Sequence, residues 1–211
     1  MNNFFITGTD TDVGKSHVCC ALLRDLCQRG INAMGYKPMA CGDRADARGM
    51  RDACASKLSL EQINPVYLRA ATAPYIAAQL ENKSIGLDQL IPPYEQLASD
   101  YDCVLVEGAG GWEVPISKDF SISDLAQELN LPILLVVNNK LGAVNHTILT
   151  LAAIKARGLR CVGIILNHIS EEWDTASITN RKLIEDFCDV PILAELISGQ
   201  EELDSSFLDA L

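Results

Sequence analysis

Basic residues are scarce in this chain. It has 17 Lys and Arg against 28 Asp and Glu, a formal net charge of −11. Nucleic-acid binding needs clustered cations over the phosphates, so nucleic acid is not an expected partner. No apolar run approaches the roughly 18 residues that suggest a membrane-spanning helix, so no membrane span is expected. The opening MNNFFITGT has no basic region ahead of its apolar stretch, and that stretch is shorter than a secretory h-region. A cytoplasmic location is the expectation. Histidines number three, with no Ser-His-Asp arrangement and no metal-ligating His pair in view. The eight cysteines (Cys19, Cys20, Cys27, Cys41, Cys54, Cys103, Cys161 and Cys188) include no C-x-x-C, and most fall in apolar or periodic segments. Reduced, mostly buried thiols are expected rather than a disulfide framework or a zinc site.

What is present is enough for one substantial core: 211 residues, 48% of them apolar. Apolar runs predict strands at 3–7, 32–37, 102–107, 131–137, 161–167 and 190–196. Helical periodicity predicts helices at 14–29, 52–59, 72–81, 87–99, 122–129, 143–157 and 173–188. Pro92 and Pro93 put the first turn of the 87–99 segment in doubt. Residues 42–51 read as a polar loop. The strands do not alternate and are separated by helices, which predicts a mainly parallel sheet covered on both faces. The expected architecture is one doubly wound α/β domain over residues 1–211. In such folds ligands collect where strands end at their carboxyl termini.

The first strand runs into GTDTDVGKS. Five residues separate Gly8 from Gly14, where the common phosphate loop has four. Two of the five, Asp10 and Asp12, are acidic. The setting still favours phosphate: backbone N–H groups can turn inward, and the following helix offers its positive end. Lys15 can reach the β- and γ-phosphates, and the Ser16 hydroxyl can ligate Mg²⁺. Lys37, ending the second strand, is either a second active-site cation or a surface lysine. Glu107, ending the strand at 102–107, either holds Mg²⁺ or is a solvated carboxylate in a glycine-rich turn. Asn139 and Lys140 begin a guanine-reading pattern, but Gly142 stands where its Asp belongs. The helix start at 142–145 instead offers N–H groups to a carboxylate. Asn167, followed by His168, either reads an adenine edge or caps a turn. His17 and His146 fit structural roles on pattern alone.

Taken in order, GTDTDVGKS, YKPMACG, VEGAGGW with Pro115, KLGAVNHT and Asn167 resemble the dethiobiotin synthetases, P-loop NTPase-like ligases. The resemblance spans residues 4 to about 196, and that family's loop is characteristically one residue longer than the common form. It implies that ATP and CO2 convert 7,8-diaminopelargonate to a cyclic urea through a carbamate and a carbamic–phosphoric anhydride. It implies Mg²⁺ on Ser16, Asp52 and Glu107, with Lys15 and Lys37 flanking the reacting centre. Thr11 would help bind carbamate or phosphate. The nucleotide would lie along Asp12, Val13, Gly14, Lys15, Ser16, His17, Asp52, Glu107, Gly108, Ala109 and Gly110. Its base would meet Asn167, His168 and the loop Ile197–Ser198–Gly199. The substrate would meet Cys41 and Gly111, and its carboxylate would meet Gly142, Ala143, Val144 and Asn145 of a neighbouring subunit, which implies a homodimer.

Three departures stand out. The family usually has Ser where this chain has Cys41 and His where it has Tyr75, and it tends to have a proline after the last strand. Of Asp10 and Asp12, one is expected to meet the metal through water and the other to cap the turn. Two other readings remain open: a related P-loop synthetase acting on another acid, and a nucleotide-switched partition-type ATPase. The second carries an early lysine in the loop, where this chain has Thr9 and Asp10.

Overall fold

In the computed structural model, which describes residues 2–211, the apolar runs form a six-stranded sheet. Its strands are β1 (Phe4–Gly8), β2 (Ala33–Tyr36), β5 (Cys103–Glu107), β6 (Ile133–Asn138), β7 (Cys161–Asn167) and β8 (Ile192–Leu196). They are arranged in the order β2-β5-β1-β6-β7-β8, with every pair parallel. Alternate residues of β6 enter different apolar clusters: Leu134 and Val136 join the large core, and Leu135 and Val137 a smaller one. Successive side chains of a strand point to opposite faces, so both faces of the sheet are covered. That double burial is why the strands read as unbroken apolar runs.

The connecting helices are α1 (Lys15–Gln28), α2 (Ala45–Ala53), α3 (Leu60–Ile63), α4 (Pro74–Leu80), α5 (Leu87–Asp100), α6 (Ile122–Leu129), α7 (Ala143–Ala156) and α8 (Thr175–Phe187). Among the described residues, no helix is long and apolar enough to cross a membrane. From β1 the chain goes out to β2, fills the gap with β5, then crosses to β6, β7 and β8. The loops after β1, β2 and β5 therefore share one edge of the sheet.

Two expectations fail between β2 and α4. The polar stretch 42–51 is not a loop: most of it is α2, which buries only Ala47 and Met50. Two apolar positions one turn apart make too thin a stripe to register as periodicity. The helix predicted at 52–59 is absent. Cys54 caps α2, Ala55 turns left-handed at φ 46°, and α3 restarts behind a Ser59–Gln62 capping box. A second parallel pair, β3 (Met39–Cys41) with β4 (Val66–Leu68), was also unforeseen. Three residues are too few to carry a period. The doubt about α5 was unnecessary, since the helix runs through Pro92 and Pro93. The carbonyls these prolines leave without donors belong to Asp88 and Gln89, which are exposed and open to water.

α2 lies directly on β2. A Cβ on Gly35 would stand 2.7–2.8 Å from the Met50 side chain. Gly35→Ala is expected to lever α2 off the sheet and cost about 1–3 kcal/mol, measured by urea unfolding.

Candidate active site

At the carboxyl end of β1 the extended loop folds over itself. Val13 is buried and packs so closely on Gly8 that a Cβ there would lie 2.5 Å from its methyl. Asp10 is the residue that fixes the turn: its Oδ1 accepts the Thr11 N–H at 2.7 Å, and its carbonyl accepts Lys15 Nζ at 3.1 Å. Asp12 takes φ 56° and Gly14 takes φ 86° ahead of α1. Gly14 has to be glycine. A Cβ would stand 2.0 Å from Asn167 Nδ2, which donates to the Val13 carbonyl at 2.9 Å.

The charged centre lies beside this loop. Lys37 leaves the end of β2 buried, and its Nζ donates to Glu107 Oε1 at 2.6 Å and to the Gly108 carbonyl at 3.3 Å. A second carboxylate, Asp46 Oδ2, is 2.7 Å from the same nitrogen. Ser16 Oγ donates to Glu107 Oε1 at 2.7 Å, which joins α1 to the cluster. Asn64 braces Lys37 from behind, donating to its carbonyl at 2.8 Å. Arg44 in turn holds Asn64. Glu107 is fully buried, and its Oε2 has no hydrogen-bond partner.

Burial alone would lower the Lys37 pKa, but Glu107 and Asp46 outweigh it and hold the ammonium well above its ordinary range. Burial pushes Asp46 up, yet Lys37 and the Ser16 hydroxyl prevail and keep it below the usual carboxylate value. Lys15 is lowered, because desolvation exceeds the attraction of Glu107. Burial raises the Cys41 thiol.

Two cavities flank the loop. One of about 600 Å³ is lined by Thr11, Asp12, Lys37, Cys41, Asp43, Asp46, Ala109 and Gly110, among others. The other, of about 390 Å³, is lined by Asp12, Gly14, His17, Asn167, His168, Ile169 and Ile197–Gly199. Asp12 faces both. His17 Nε2 donates to the Gln200 carbonyl at 2.7 Å, so α1 is tied to the loop after β8. The His168 ring stacks on Trp173 at 4.2 Å and its Nε2 lies 3.1 Å from Glu195 Oε2. Gly111 approaches the phosphate loop, where a Cβ would be 3.5 Å from Asp10 Cα.

The structure does not bring every proposed residue together. Asp52 is the clearest case: its side chain is 73% exposed and pairs with Arg51. It lies six residues beyond Asp46, about 600° around the helix and so on another face. Asp46 shares the Met50 face by i,i+4 spacing, and that face is turned to β2. Asp46 was missed because Ala-Asp-Ala and Arg-Asp-Ala look alike in the sequence. A search for the buried stripe of α2 would have separated them. Gly142–Asn145 form the start of α7 behind Gly142 at φ 90°, and they line neither of the two cavities. Among the described residues no group of three or more His, Cys, Asp or Glu is placed to hold a metal ion.

A family model described as an AAA domain matches residues 2–203. The ATP-dependent dethiobiotin synthetase BioD of Akkermansia muciniphila is 53% identical over 208 residues, covering 99% of this chain and 98% of its own length. This chain belongs to the dethiobiotin synthetase family. The proteins of the same name from Cellvibrio japonicus and Bacillus subtilis are 44% and 36% identical, covering 84% and 92% of this chain and 84% and 86% of their own lengths. Two solved structures share the fold of this dethiobiotin synthetase family member at lower identity. The MinD cell division protein of Aquifex aeolicus matches 94% of this chain and 82% of its own, with TM-score 0.57 and 15% identity. The cell division protein FtsY of Thermotoga maritima matches 95% and 63%, with TM-score 0.59 and 15% identity. At that identity the likeness is one of fold, the P-loop NTPase sheet.

The Asp46 shift fixes a pH dependence. Its folded-state value is depressed, so its stabilising effect is present above the unfolded carboxyl value and is lost as pH falls through the folded one. The side chain is 36% exposed, so solvent screening keeps the contribution to about 1 kcal/mol. Asp46→Asn is expected to lower stability near neutrality by that amount and to flatten the acid limb below about pH 4. Urea unfolding across that range checks it.

Proposed function

We propose that this chain is an ATP-dependent dethiobiotin synthetase. In this reading it joins CO2 to 7,8-diaminopelargonate and closes a cyclic urea, turning ATP into ADP and phosphate. The observation that carries the reading is Lys37. It is a buried cation held by Glu107 and Asp46 where the phosphate loop meets the larger cavity. The 53% identity across nearly the whole chain supports the same reaction.

The chemistry asks for such a cation. One substrate amine takes up CO2 and loses a proton to give a carbamate. A carbamate oxygen attacks the γ-phosphorus of ATP, ADP leaves, and a carbamic–phosphoric anhydride forms. The second amine then attacks the carbonyl carbon, expels phosphate and closes the ring. Two anions must approach each other for the first bond. Lys37, held charged by its carboxylates, lowers that repulsion from the cavity side, and Lys15 does so from the loop side. Thr11 lies on the cavity wall, where it would bind the carbamate or the phosphate. Cys41 lies on the same wall, where the family's usual serine would offer the stronger hydrogen bond.

A divalent cation fits the residues present. Ser16, Glu107 and Asp46 offer hard oxygens, and Glu107 Oε2 is a buried acceptor with nothing to accept from. They would hold Mg²⁺, with Asp46 in the role first given to Asp52, and the ion would neutralise charge on the phosphoryl oxygens. The adenine would enter the smaller cavity. There the Asn167 amide nitrogen is engaged by Val13, which leaves its oxygen to accept from the adenine amino group. Purified protein given Mg²⁺, ATP, bicarbonate and 7,8-diaminopelargonate is expected to yield dethiobiotin by mass spectrometry. No product overturns the reading. Lys37→Ala is expected to cut kcat about 10²–10³-fold and leave ATP affinity within a few-fold by calorimetry.

The substrate carboxylate would bind the N–H groups at Gly142–Asn145 of a second copy, making a homodimer with shared sites. Leu141 at 81% exposure and Leu149 at 61% leave an apolar surface beside that helix start, which supports the pairing. Sedimentation is expected to give twice the chain mass, and activity per chain is expected to fall on dilution below the dissociation constant. A monomer with full activity overturns this part. A cytoplasmic location belongs to the same reading.

A further inference from the structure

The fold gathers two of the dispersed cysteines at one surface. Cys27, in the last turn of α1, and Cys54, which caps α2, line an open cavity of about 470 Å³ with Lys57 and Tyr101. Both are partly exposed. They share the wall of that cavity, and Cys27 Sγ donates to the Ala33 carbonyl at 3.9 Å.

The other thiols are poor nucleophiles. Burial pushes Cys20 and Cys103 up to about 12 and raises Cys19 as well. Cys27 alone of the eight is lowered, because the neighbouring Cys54 thiol outweighs burial, and the same interaction raises Cys54. A thiolate beside a second accessible thiol is the arrangement that undergoes disulfide exchange.

We propose that Cys27 and Cys54 are an oxidisable dithiol, which a small-molecule disulfide converts to an intramolecular bond bracing α1 to α2. The Cys27 thiolate attacks one sulfur of the oxidant and releases one thiolate, leaving a mixed disulfide. Cys54 gives up its proton and attacks Cys27 Sγ, releasing the second. The protein loses two hydrogens and the oxidant becomes two thiols. The two helices already pack on each other and both cysteines line one cavity, so reaching an S–S length of about 2.0 Å asks for a local movement of the side chains. Cys27 lies twelve residues beyond Lys15, about 18 Å along α1, so the bond forms at the end of the helix away from the charged centre. In a reducing compartment the pair stays open, and an oxidising episode closes it.

The test is incubation of the full chain with oxidised glutathione, followed by non-reducing digestion and mass spectrometry. The expected result is one cross-linked peptide pair joining Cys27 to Cys54, two hydrogens lighter. A Tm rise of about 5–10 °C, reversed by dithiothreitol, should accompany it. Cys27→Ser and Cys54→Ser should each abolish both signals. The peptide map of the unaltered chain decides by itself, whatever the stability of the variants. A glutathione adduct on Cys27 that never resolves, a cross-link elsewhere, or no reaction overturns the dithiol. A cross-link that leaves Tm unchanged overturns the brace.

Discussion

The ion pair between Lys37 and Glu107 organises the rest of the molecule. Both side chains are out of water, at 5% and 0% exposure. A charge so placed is tolerable only with its partner in position, and losing one partner of such a pair typically costs about 3–5 kcal/mol. The pair spans adjacent strands, β2 and β5, at the edge where ligands gather. Ser16 brings α1 to it and Asp46 brings α2. Four separate stretches of sequence are therefore held in register around one buried ion pair.

The same network explains why part of the chain could be read directly and part could not. The six strands were legible because burial on both faces leaves them almost wholly apolar, with polar residues confined to their carboxyl ends. The phosphate loop was legible because a strand, glycines, Lys15 and Ser16 stand in fixed order. The segment from 42 to 68 was not. α2 shows water all but a narrow stripe, and β3 and β4 are three residues each. Whether Asp46 or Asp52 meets Lys37 depends on which side of a short helix faces β2, and lookalike tripeptides three residues apart hide that. Asp52 was chosen by resemblance; the i,i+4 relation of Asp46 to buried Met50 carries the spatial information.

The loop's extra residue also has a physical reading. Val13 returns over Gly8, and Asp12 is left projecting between the two cavities. One acid, Asp10, is spent on the turn itself through Thr11 and Lys15. The acids that looked misplaced beside phosphate are thus divided, one used internally and one facing the cavities. His17, bonded to Gln200, extends the same construction to the far edge of the sheet.

The bond from Asn167 to the Val13 carbonyl joins two regions usually considered apart. The side chain that lines the smaller cavity is also a clamp on the backbone of the loop after β1, and Gly14 has no room for anything larger beneath it. Under the proposed function, a change of base preference made at Asn167 would also loosen the loop. Residues 197–199 face the same cavity without holding the loop, and on that proposal they are where base preference would change. On that proposal Asn167 answers to two tasks at once, and the loop beyond β8 to one.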